Sequence, residues 1–245
     1  MKCLILAAGY ATRLYPLTEN FPKPLLKVQG KPILDWLLED LSQVGRIDAY
    51  AVVTNHKFAR HFSAWAGEHR LPITVLDDGT ESNETRLGAV RDIKFALDRL
   101  GWRDDLLIMA GDNLLDFSLE PFLAYQCEKG TSCIMRYWEA DENRLHRSGV
   151  CEVDGNGRVL SMEEKPAAPR SHWCTPAFYI LRAEDAGSVS RAIESGCGAD
   201  APGSFIAWLT KQTAVYAWPM PGERFDIGNL ESYELAQKNY RGIRL

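Results

Sequence analysis

Short apolar runs alternate with segments of helical period through the first half of this chain, and that alternation admits few folds. KCLILAA (2–8), DAYAVVT (48–54), PITVLD (72–77) and DLLIMAGD (105–112) are nearly continuous apolar stretches of strand length, as strands buried on both faces require. Between them, PILDWLLEDLSQVG (32–45) repeats apolar residues at helical spacing, with Pro32 at its start and Gly45 at its end. Those are the boundary positions each residue favours. Further helices are predicted over 56–67 with Asn55 as N-cap, over about 84–100, and over 118–129 capped by Ser118. Such alternation implies right-handed βαβ units and a parallel sheet covered on both faces. The second half reads differently. A strand at 131–137, a hairpin across 149–164 built on Asp-Gly and Asn-Gly steps, and a strand at 173–181 precede helices near 183–194 and 204–212, a strand at 214–218 and a last helix at 230–240. The expected fold is α/β: one three-layer α/β/α domain over 1–245, with a mostly parallel mixed sheet and an inserted β-hairpin region.

Composition narrows the function classes. The net charge is −5 and no basic run exceeds two residues, which argues against a nucleic-acid groove but leaves a small anionic substrate open. The six cysteines (Cys3, Cys127, Cys133, Cys151, Cys174, Cys197) lack zinc-knuckle spacing and read as reduced thiols of a cytoplasmic protein. The apolar run 3–8 is too short for a signal peptide, and nothing approaches the ~18 apolar residues of a membrane span. His56, His61 and His69 read as surface residues, and Trp102, Trp138, Trp173, Trp208 and Trp218 as core or pocket wall.

The stretch LAAGYATRLYPLTENFPKPLL (6–26) follows the first strand. Ligands of open α/β sheets bind outside the carboxyl ends of the strands, so this loop is the first candidate site. Gly9 and Ala11 leave the backbone nearly bare for a phosphate to approach. Arg13 and Lys23 offer charge-assisted contacts to phosphate oxygens, and Pro16, Pro22 and Pro24 stiffen the loop. A long surface connection is the other reading. Neither the P-loop pattern nor the full dinucleotide fingerprint is present. At the end of a later strand, Asp112 in GDN is a candidate Mg2+ ligand, since this ion takes one or two carboxylates plus phosphate oxygens. Asp226 in FDIG is the second. A turn or capping aspartate is the alternative at each position.

The order Leu6–Ala8, Gly9, Thr12-Arg13, Pro16, Thr18, Pro22-Lys23-Pro24 resembles the signature of sugar-1-phosphate nucleotidylyltransferases, G-x-G-T-R-L-x-P-L-T-x-x-x-P-K-P, with Ala11 at the second glycine. The likeness extends from residue 2 to about 235 and implies a Rossmann-like nucleotidyltransferase fold. It implies a nucleotide-binding half at about 1–130 and an acceptor-binding half at about 131–245. It places Leu6, Ala8, Gly9, Ala11, Thr12, Arg13, Lys23, Leu87, Gly88 and Asp112 on the nucleotide, with Arg13 and Lys23 catalytic. Asp112 and Asp226 would hold Mg2+; Asn113, Gly149, Glu164 and Lys165 would take the acceptor, Lys165 on its phosphate and Glu164 on sugar hydroxyls. The segment 200–209 is a further candidate for the acceptor pocket. The implied reaction moves a nucleoside monophosphate from an NTP to a sugar 1-phosphate with release of pyrophosphate. The partners expected are thus an NTP and a phosphorylated small molecule, with no nucleic acid or membrane and with an oligomer compatible. Two other readings stay open: a cytidylyltransferase acting on a non-sugar phosphate such as phosphocholine, and a regulatory homologue that binds nucleotide with little catalysis. A D-x-D glycosyltransferase is disfavoured, because no strand end carries that motif.

Overall fold

The computed structural model describes residues 1–244. The chain forms two compact units: residues 1–86 with 110–120 and 221–244, and 87–109 with 121–220.

The first unit is built as the alternation demands. Strand Ala49–Thr54 pairs in parallel with Lys2–Leu6 on one side and Ile73–Asp77 on the other. Helix Ile33–Val44 runs between Pro32 and Gly45, whose φ of 67° ends it. Asn55, fully buried, does two jobs. Its side-chain oxygen accepts from Phe58 N (3.1 Å), and its amide donates to Ala8 O (3.0 Å), tying the second strand's end to the first loop. The predicted helix 56–67 begins as a 3-10 turn over His56–Phe58 and becomes α-helical over Ala59–Gly67. A second small sheet pairs Asn113–Leu115 with Arg224–Asp226 antiparallel, which sets Asp226 opposite Asn113. Asn229 then caps the last helix, Leu230–Asn239, in a capping box with Ser232. Leu14, Leu26, Val28, Ile33, Leu114, Ile227, Ala236 and Tyr240 form one core cluster beneath these segments. The loop, the small sheet and the last helix therefore share one apolar floor.

In the second unit antiparallel pairing prevails. Phe178–Leu181 lies between Leu106–Met109 and strand Ser132–Trp138, antiparallel to both. Trp173–Thr175 joins Ser132–Trp138 to Gly149–Val153, again antiparallel. Val215–Pro219 pairs in parallel with Ser132–Trp138. Strand Val159–Glu164 pairs with Gly149–Val153, with a register shift between Val159 and Ser161 that leaves Leu160 as an extra, exposed residue.

Several boundaries depart from the sequence reading for local reasons. The helix expected from about 84 starts at Ala89, because Gly88 has φ 89° and cannot be helical. The strand expected over 173–181 is interrupted at Pro176, which has no N–H for the ladder. The helix expected over 183–194 splits into Ala183–Ala186 and Val189–Glu194. Trp138 is 59% exposed, outside any core, and stacks on His172. His61 and His69 are half-buried rather than surface residues: His61 packs edge-on to Phe21 and Phe58, and His69 pairs with Asp35 at 3.3 Å. Cys3, Cys133 and Cys151 are buried, and burial pushes the thiols of Cys133 and Cys151 up to about 12, which makes them poor nucleophiles.

Candidate active site

In the first unit the loop after the first strand is held from below. Leu14 is fully buried, its N–H donates to Ala11 O (2.9 Å), and the buried Thr18 hydroxyl donates to the same carbonyl at 2.8 Å. Ala11 sits at φ 48°, ψ 39°, a left-handed conformation that costs a non-glycine residue about 1–2 kcal/mol. Alanine disfavours this region, and the packed core and the two hydrogen bonds over-determine the conformation. Gly9 is exposed, and a Cβ there would meet nothing within 4 Å, so open space lies in front of this backbone. Leu6 accepts from Gly111 N at 3.1 Å, and Gly111 in turn has no room for a side chain comfortably, because Pro24 and Ile5 lie 3.2 and 3.3 Å from where a Cβ would sit. Pro24 is thus a spacer that sets Lys23 against the turn carrying Asp112.

Lys23, Asp112, Asn113, Arg224 and Asp226 form a closed circuit. The Lys23 ammonium donates to Asp112 Oδ2 (2.5 Å) and to Ile227 O (2.9 Å). Asp112 Oδ1 accepts from the Asn113 amide at 2.7 Å. Asn113 Oδ1 accepts from Arg224 at 2.5 Å, and the same guanidinium nitrogen lies 3.3 Å from Asp226 Oδ2. Ile227 N donates back to Asp112 O (3.1 Å). Burial alone would raise the Asp112 carboxyl, but the Lys23 charge and hydrogen bond, with Arg224 behind them, hold it below the ordinary carboxylate range. Thr12 and Arg13 are exposed on the loop, and an Arg13 guanidinium nitrogen lies 4.0 Å from the position of a Cβ on Gly228. Among the described residues no three His, Cys, Asp or Glu side chains gather to hold a metal by themselves. The donor set of Asp112 and Asp226, on adjoining segments of the small sheet, suits a hard cation that fills its remaining positions with phosphate oxygens.

The second unit carries the other predicted group. Glu164 and Thr175 lie on strands either side of Gly149 and are both in register with it. Where a Gly149 Cβ would stand, the Thr175 hydroxyl, Glu164 Oε2 and the Met162 methyl already converge, and a Cβ on Gly203 would overlap Glu164 Oε2. Burial raises the Glu164 carboxyl, partly offset by Lys165, while Asp200 adds to the rise. Lys165 has φ 48°, not the extended backbone expected before proline, and its ammonium lies 3.7 Å from Asp200. Strain of this kind concentrates at functional loops. Leu87 and Gly88 belong to this unit too. Gly88 is obligatory because a Cβ there would come within 2.6 Å of Ala199 O, and Ala89 and Val90 donate to Asp200 O and Ala199 O.

Thr175, Gly203, Asp200 and Arg224 escaped the sequence reading. Asp200 and Gly203 lay within the 200–209 segment already suspected, but were not singled out. Thr175 had no signal: its hydroxyl is buried, the residue is 6% exposed, and it finds no hydrogen-bond partner among the described residues. Asn113, expected on the acceptor, is 3% exposed and spends its amide on Asp112 and Arg224, beside the carboxylates.

A family model described as Nucleotidyl transferase matches residues 2–242. The chain belongs to that family. The chain aligns with a UTP–glucose-1-phosphate uridylyltransferase of Synechocystis sp., 28% identical over 95% of this chain and 61% of that one. A glucose-1-phosphate thymidylyltransferase of Mycobacterium tuberculosis is 31% identical over 74% of this chain and 60% of that one. The chain thus spans about three fifths of the length of these relatives. A solved UDP-glucose pyrophosphorylase, complexed with UDP-glucose, superposes with a TM-score of 0.83 at 20% identity, covering 98% of this chain and 97% of that one. The Rossmann-like α/β fold of this chain is accordingly shared with that solved structure.

Proposed function

We propose that this chain transfers a nucleoside monophosphate from an NTP to a sugar 1-phosphate, releasing pyrophosphate, in the cytoplasm and with Mg2+. The observation that carries the reading is the circuit of Lys23, Asp112 and Asp226 beside an open, glycine-bearing loop. An acceptor phosphate oxygen forms a bond to the α-phosphorus of the NTP while the bond to the pyrophosphate oxygen breaks. The acceptor arrives as an anion, so no general base is required, and the obstacle is repulsion among polyanions. Catalysis is then positioning and charge neutralisation. Arg13 projects from the loop to meet charge building on pyrophosphate. Lys23 exchanges Asp112 for a phosphate oxygen. Asp112 and Asp226 would hold Mg2+, which when bound neutralises phosphate charge. Leu6, Ala8, Gly9, Ala11 and Thr12 line the nucleotide, with Leu87 and Gly88 toward its base. Lys165 takes the acceptor phosphate, and Glu164 beside Gly149 takes hydroxyls.

The unpartnered Thr175 hydroxyl beside Glu164 favours a hydroxyl-bearing acceptor over phosphocholine, whose methyl groups offer that hydroxyl no hydrogen bond. Pyrophosphate release measured across a panel of NTPs and acceptors, with phosphocholine included, tests this. Release with a sugar 1-phosphate supports it. Release with phosphocholine alone, or nucleotide binding with no release from any pair, overturns it.

A further inference from the structure

Arg224 is the cation of the circuit that the proposed reaction does not use. It stands on strand Arg224–Asp226, two residues before Asp226, and only 16% of its side chain is exposed. One guanidinium nitrogen reaches both Asn113 Oδ1 and Asp226 Oδ2. The segment before it is pinned as well: Asp116, 5% exposed, accepts from Glu223 N at 2.7 Å, and a Gly222 side chain would strike the same carboxylate. A residue so anchored is poorly placed to follow a departing phosphate. It is well placed to hold two neighbours still.

Its charge matters as much as its hold. Asp112 faces the Lys23 ammonium and Asp226 faces the Arg224 guanidinium, so each carboxylate already has a cation of the chain's own. The two cations differ in how easily they leave. Lys23 is a flexible ammonium that a phosphate draws away. Arg224 is half-buried, much as Lys23 is, but its guanidinium cannot give up its charge and its backbone follows a segment pinned by Asp116, so it stays. We propose that Arg224 is a positioning residue and resident counter-cation, which orients Asp226 and, through Asn113, Asp112, and keeps the pair from taking a divalent cation tightly until an NTP brings phosphate oxygens. The inference rests on the reading of Asp112 and Asp226 as cation ligands. It deepens that reading, because the metal then enters with the nucleotide rather than waiting in the site.

Mn2+ binding, followed by the electron paramagnetic resonance of free ion with and without NTP, separates the two levels. The wild-type protein is expected to bind Mn2+ weakly alone and at least about tenfold more tightly with NTP. Arg224→Met removes the charge at similar length and should tighten Mn2+ binding without nucleotide about tenfold, since a unit charge at this range is worth at least that much, while kcat falls. Arg224→Lys keeps the charge but not the planar fork; its Mn2+ affinity should stay near wild type while kcat still falls. A purely structural role predicts weaker Mn2+ binding in both variants, and that result, or unchanged affinity in Arg224→Met, overturns the proposal. If Arg224→Met fails to fold, Arg224→Lys with weakened Mn2+ binding overturns it by itself. If Mn2+ binding with NTP is the same in Asp112→Asn and Asp226→Asn as in wild type, the carboxylate reading falls first and takes this inference with it.

Discussion

Asp112 and Glu164 are partly buried carboxylates, one in each unit, yet their acidities move in opposite directions. Asp112 is surrounded by partners: one oxygen holds Asn113, the other Lys23, and Arg224 stands behind. Glu164 sits over two bare glycines with a methyl group and an unpartnered hydroxyl for company, and burial raises it. The first group is satisfied without ligand; the second is not. A fully paired cluster is stable and must be opened by something with more charge than it holds, which suits a triphosphate. An under-paired cluster gains by accepting hydrogen bonds, which suits a neutral polyol. Discrimination follows from the second kind, because a buried polar group left unpaired by the wrong ligand is costly.

The sharpest way to break this contrast is to remove the charge of the first cluster. Asp112→Asn or Asp226→Asn should lower kcat by about a thousandfold or more, several kcal/mol of transition-state stabilisation; steady-state pyrophosphate assays would show it, and near-wild-type turnover would sink the metal assignment. Next, Lys165→Ala should raise the acceptor KM by about 10–100-fold, the loss of one charge-assisted contact, with little change in the NTP KM. Thr175→Val should cut kcat/KM for the acceptor about tenfold while unfolding in urea shows stability unchanged or about 1 kcal/mol higher, because an unpaired buried hydroxyl is replaced by an isosteric methyl. A stability loss instead would mean the hydroxyl has a structural partner. Glu164→Gln reads the pH dependence. A raised carboxyl makes ionisation costly in the folded state, a cost absent well below the unfolded value of about 4.3 and complete above the raised folded one. The variant should therefore melt higher than wild type at neutral pH and equal to it in acid. Asp112 has the opposite sign: its contribution is full above about 3.9 and is lost as pH falls through the lower folded value. The smallest effect belongs to Ala11→Gly, where relief of the left-handed strain is offset by the freer unfolded chain, leaving a net change within about 1 kcal/mol.

The parts of the site that could be read from sequence were those announced by local chemistry. Lys23 is flanked by prolines that make its loop unlike any helix or strand, and Asp112 ends an apolar run. Asn55 and Asn229 cap as their positions suggest. What escaped was set by neighbours remote in sequence. Gly203 matters because Glu164 fills its missing side chain, and Gly88 because Ala199 passes close by. Thr175 is an ordinary strand threonine until register sets it beside Gly149. Arg224 gains its meaning only from a three-residue strand pairing with residues 113–115, too short to carry a periodic signal. In the second unit, periodicity also joined across Pro176 and Gly187 segments that the structure separates.

Leu160 lies 65% exposed and packs little, yet it decides which of two adjacent glutamates stands opposite Gly149. With the extra residue, Glu164 stands opposite Gly149 and Glu163 opposite Val150. Were the strand drawn straight through Leu160, every later side chain would trade faces, and Glu163 would arrive over the glycine while Glu164 turned to solvent. The hairpin therefore behaves as a reading frame, and a single exposed leucine is the base that sets it.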